Sequence, residues 1–102
     1  MIKTIEILIR SGPLEKYNAL IIYEKNILYL NDRKYDIDEN YLKELISIIY
    51  LWKEEYGNNN VIDAEEFKVT VTATDKTKSF HGKGIFPNNY NNLKELLDRA
   101  HD

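Results

Sequence analysis

The chain has no cysteine, and that single absence removes disulfide bridges, thiolate nucleophiles and cysteine-ligated zinc together. A small secreted domain normally leans on such cross-links, so a reducing, cytoplasmic setting is expected. Histidine is scarce: His81 and His101 are the only two, and neither has a second ligand at metal spacing on its own element. Apolar runs of membrane length, roughly 20 residues, are missing too. The N-terminal stretch 1–10 is broken by Lys3, Glu6 and Arg10 and reads as a strand rather than a signal. There is no basic stripe, and the formal net charge is −3, which argues against a dedicated nucleic-acid binder.

What is present describes one folded body. At 102 residues, 43% hydrophobic and 30% charged, the chain fits a single domain (1–102) with one core. Charge is uneven along it: residues 1–38 balance, 39–66 carry two Lys/Arg against seven Asp/Glu, and 67–102 carry six against four. The acidic centre suits a basic protein partner.

Periodicity supplies the elements. Residues 3–9 alternate, with Ile5, Ile7 and Ile9 on one face, and Ser11-Gly12-Pro13 is turn chemistry. Residues 17–24 form a second strand that is apolar on both faces, Tyr17, Ala19, Ile21 and Tyr23 on one and Leu20 and Ile22 on the other. Residues 27–30 share that character, after a turn at Lys25-Asn26; a strand dry on both sides is central or covered by something on each. Beyond Asn31-Asp32, residues 34–37 form either a short strand or a lead-in.

From Glu39 the period becomes helical, capped by Asp38 or Asn40. Leu42, Leu45, Ile46, Ile49, Trp52 and Tyr56 make one stripe, so the helix is expected over 39–56 with Gly57 ending it. Residues 67–74 alternate cleanly, Asp75-Lys76 turns, and 77–82 returns as a hairpin partner. A last helix, capped by Asn88 or Asn89, carries Tyr90, Leu93, Leu97 and Ala100. The expected fold is α+β: an antiparallel sheet of about five strands with two helices packed on it, in the order β-β-β-α-β-β-α.

No constellation reads as catalytic, metal-binding or cofactor-binding, so a non-enzyme without cofactor is expected. Gly82-Lys83-Gly84 could cradle an anion, but it lacks P-loop spacing, and glycine at a strand end more often permits a bulge or bend. Glu54, Glu55, Asp63, Glu65 and Glu66 read either as a solvated face or as a docking surface. Eight tyrosines stand out, Tyr17, Tyr23, Tyr29 and Tyr35 at intervals of six; tyrosine is first of all a good strand residue, and it is also enriched at interfaces.

Helix 39–56 also carries a second apolar set, Tyr41, Ile48 and Leu51. With the double-faced strands, this exceeds what one small core needs, and the surplus calls for a cover: the last helix, a second copy of the chain or a foreign protein. The candidate partner-binding residues are therefore Tyr41, Ile48, Leu51, Glu54, Glu55, Glu65 and Glu66.

The phrase Lys78-Ser79-Phe80-His81-Gly82-Lys83-Gly84-Ile85-Phe86-Pro87-Asn88-Asn89-Tyr90, closing a hairpin and opening a helix, resembles small bacterial immunity proteins of polymorphic or contact-dependent toxin systems. The resemblance rests on this phrase of 13 residues, carries over no functional residue, and implies a cytoplasmic protein that masks the active site of a basic toxin. The alternative expectation is a structural homodimer or a subunit of a larger assembly.

Overall fold

The computed structural model describes residues 1–57 and 64–100. The alternating N-terminal sequence becomes β1 (Ile2–Ser11), burying Ile5, Ile7 and Ile9 completely. Gly12 turns the chain at φ 60, a conformation that suits a residue without Cβ, and β2 (Leu14–Ile22) returns. β2 stops short of Glu24 because Tyr23–Lys25 coil into a single 3-10 turn, closed by Asn26 at φ 53. β3 (Ile27–Leu30) and β4 (Arg33–Asp36) then form a hairpin on Asn31 and Asp32, at φ 49 and 68. Two successive left-handed residues give the turn whose twist matches a two-residue hairpin.

Asp38 caps α1 (Glu39–Ile49), accepting the Tyr41 N–H at 2.8 Å. The helix ends well before residue 56. Trp52 N–H reaches back to the Ile49 carbonyl at 3.1 Å, and its ring stands edge-on to Phe67 and Phe80, 5.4 and 6.3 Å away. The chain then runs extended as β5 (Glu55–Gly57), with Tyr56 and Gly57 in a strand rather than in a helix and its cap. A longer helix would satisfy its own backbone but leave the neighbouring sheet edge unpaired. Leaving the helix lets Glu54 accept the His81 N–H at 2.9 Å and lets β5 join that edge.

β6 (Glu65–Ala73) and β7 (Thr77–Lys83) form the second hairpin, and α2 (Tyr90–Arg99) follows. The described strands make one sheet in the order β4-β3-β2-β1-β6-β7-β5, antiparallel except for the parallel β5/β7 pair. The α+β class and the two helices agree with the sequence reading. The sheet does not: it is mixed and has seven strands rather than about five antiparallel ones. β4 is a true strand, β5 emerges from the expected helix end, and the order is β-β-β-β-α-β-β-β-α.

Both helices pack on the same face, where Leu42, Leu45, Leu93, Leu96 and Leu97 join Ile5, Ile7, Ile9, Ile21 and Leu28 in one buried cluster. Asn89 stands at the N-terminus of α2 but does not cap it. Its side chain instead accepts the Trp52 indole N–H at 2.6 Å and donates to the Ile48 carbonyl at 2.7 Å, tying the end of α1 to the start of α2.

Candidate interaction face

Strand alternation sends half of the sheet's side chains away from the helices, and pairing register aligns them in rows. One row reads Ile27, Ile22, Thr4, Thr72, Thr77; the next reads Tyr29, Leu20, Glu6, Thr70, Ser79. A third runs Asn18, Leu8, Lys68, His81, Glu55, and the last Glu15, Arg10, Glu66, Lys83. No helix covers these rows among the described residues. Leu8, Leu20, Ile22 and Ile27 are half-buried by their neighbours alone, and Tyr29 is exposed. The face is thus apolar over β2 and β3, hydroxyl-lined where Thr and Ser gather, and charged toward β5.

The surplus apolar parity of 17–24 and 27–30 therefore has a definite place: one side of each strand lies in the core and the other on this open face. The last helix does not cover it.

The charged corner holds a shallow basin of about 590 Å³, lined by Leu8, Arg10, Glu55, Glu66, Lys68, His81 and Lys83 together with Tyr56, Phe67 and Gly82. His81 Nε2 lies 3.5 Å from Glu55. Arg10 Nε is shielded from solvent without a hydrogen-bond partner. Among the described residues no group of three His, Cys, Asp or Glu is arranged to hold a metal ion.

The residues singled out from sequence are dispersed. Tyr41 is half-buried between the helices, donating its hydroxyl to the Leu96 carbonyl at 2.9 Å, and burial pushes its pKa up to about 12. Ile48 is 6% exposed and belongs to the core. Leu51 is 85% exposed, beside Tyr50 at the end of α1. Glu54 and Glu55 flank the β5 edge, and Glu66 stands in the basin. Asp63 and His101 lie outside the described residues, as do residues 58–60.

Glu65, next to Glu66, points the other way. The register of β1 and β2 slips between Ile9 and Arg10, leaving Lys16 without a cross-strand partner. That bulge re-aims Lys16, which reaches Glu65 at 3.1 Å. Glu65 also accepts the Tyr90 hydroxyl at 2.7 Å and Lys94 at 3.2 Å. Burial alone would push its carboxyl up, but the hydrogen bonds from Tyr90, Lys16 and Lys94 outweigh that and hold it below the usual carboxylate range. Burial and the same carboxylate push the Tyr90 phenol up. Glu65 thus works as an internal tie between β2, β6 and α2.

The phrase at 78–90 also serves the interior in part: Phe86 stacks on Tyr90 with ring centres 4.5 Å apart, and Tyr90 N–H bonds the Pro87 carbonyl at 3.0 Å. Its alternate residues Ser79, His81 and Lys83 lie on the open face. Sequence reasoning missed Arg10, Lys68 and Lys83 as a group, because the long-range pairing of β1 with β6 brings them together and no linear spacing announces it. No helix among the described residues is long and apolar enough to cross a membrane. Compared with known proteins, the chain matches no family model, no curated protein and no solved structure.

Proposed function

We propose that this chain is a non-enzymatic protein-binding domain that docks through the open face of its sheet, as an immunity-type inhibitor of a toxin. The observation that carries this reading is the uncovered strip in which Leu20 and Ile22 of β2 stand opposite Tyr29 and Ile27 of β3, with Leu8 of β1 diagonal to Leu20. Water-facing aliphatic side chains on three adjacent strands are a poor surface for an isolated molecule and a good one for burial against a partner. Tyr29 offers the rigid, amphipathic ring typical of interface anchors. The short edge strands, four residues in β4 and three in β5, make strand addition a weaker means of attachment than face packing. The net charge of −3 favours encounter with a basic partner, and the phrase at 78–90 supports the immunity assignment.

This reading expects a toxin gene beside this one, and the test is co-expression with the product of that neighbouring gene. The wild-type chain should form a salt-sensitive complex with it and protect the cell. Tyr29→Ala combined with Leu20→Lys should abolish both while leaving the thermal midpoint nearly unchanged. A wild-type chain that neither binds nor protects overturns the immunity reading. Full binding by the double variant overturns the face. Self-association of the pure wild-type chain that the double variant loses would make a second copy the occupant.

A further inference from the structure

We propose that the basin at the charged end of the open face is an oxyanion site, taking a carboxylate or phosphate group of a small ligand. Arg10 from β1, Lys68 from β6 and Lys83 from β7 meet there, three basic side chains on a chain that is acidic overall. The basin's two carboxylates do not neutralise them pairwise. Glu55 stands by His81 at 3.5 Å, and Glu66, although in register between Arg10 and Lys83, forms no ion pair among the described residues.

Arg10 carries the argument furthest. Its Nε is closed off from water and lacks an acceptor, and none of its nitrogens has a partner among the described residues. A guanidinium is a planar fork of donors matched to two oxygens of one oxyanion, and leaving it unpaired in a partly enclosed place is unfavourable. Phe67 and Gly82 turn their side-chain positions toward the core, so the floor beneath Arg10, Lys68 and Lys83 is sheet backbone. Leu8 forms an apolar wall at one side, suited to the carbon body of the ligand. This inference stands on Arg10, Lys68 and Lys83 and shares only Leu8 with the apolar strip of the docking proposal, so either can fail alone.

The experiment is a titration of the isotope-labelled chain, followed by amide chemical shifts, with inorganic phosphate and with acetate in separate arms and chloride as control at matched ionic strength. Saturable shifts confined to residues around Arg10, Lys68 and Lys83, without a chloride equivalent, are expected. The stronger arm identifies the group as phosphate or carboxylate. Arg10→Gln should weaken binding about tenfold or more, and Glu66→Gln should tighten it about threefold by removing the competing charge. Lys34→Gln, on the far side of the same face, should change nothing. Shifts that do not saturate, that chloride reproduces, or that survive Arg10→Gln would overturn the proposal. So would weaker binding in Glu66→Gln.

Discussion

A single carboxylate illustrates how closely this molecule ties its polar groups. Glu65 holds Lys16, Lys94 and Tyr90, linking a bulge in β2, the start of β6 and the first turns of α2. Because its folded pKa lies below the ordinary value, the stability it contributes is present above its unfolded pKa and is lost as pH falls through the folded one. Glu65→Ala should therefore lower unfolding free energy at neutral pH by about 1–3 kcal/mol, leaving Tyr90 and Lys94 without their acceptor. Urea titrations should find that the gap from wild type narrows below about pH 4, where an unfolded glutamate is protonated. Sequence placed Glu65 with Glu66 in one acidic cluster, yet neighbours in a strand point to opposite faces. Parity could have separated them, but the bulge that brings Lys16 to Glu65 leaves no pattern in the residues themselves.

At the scale of elements, much was legible: the alternation of β1 and β6, a break in the pattern at Asn31-Asp32, a cap for α1 at Asp38 or Asn40, of which the structure uses Asp38, and the stripes of both helices. The end of α1 was not. Trp52 and Tyr56 fit the helical period, and Trp52 is indeed buried, but it reaches the core from the turn that follows α1 rather than from the helix. A period of 3.6 cannot distinguish these cases when tertiary contacts place the ring. Aromatic packing with Phe67 and Phe80, the Asn89 bond and the vacant edge of β7 decide it. The junction of β5 and β7 depends on Gly82, where an added Cβ would lie 2.7 Å from both the Phe67 ring and Tyr56 Cβ. Gly82→Ala should cost about 1–3 kcal/mol through overpacking. Because the chain has one tryptophan and its ring touches Phe67, the loss should be visible as altered Trp52 fluorescence as well as a lower urea midpoint.

For the whole molecule, the defining asymmetry among the described residues is two α-helices on one face of the sheet and none on the other. Sequence foresaw the excess of apolar surface but not its location, because each turn resets which parity faces inward. Adjacent residues in β2 make the asymmetry measurable: Ile21 is fully buried, whereas Ile22 is only half-buried on the open side. Ile21→Ala should destabilise the free chain by about 2–5 kcal/mol, and Ile22→Ala by about 1 kcal/mol or less. Equal costs in chemical denaturation would mean that the outer face is already covered in the free protein.

The position of β1 in the middle of the sheet has a consequence for how the chain reaches this form. One side of β1 finds its mate in β2 across a tight reversal, whereas the other waits for β6, with Ile7 meeting Val69. A growing polypeptide therefore completes the four-strand half, β1 to β4, while a row of amide and carbonyl groups along β1 stays open to any passing strand. Closure of that seam by the late-arriving hairpin is a long-range event, and it should set the pace of the final cooperative step.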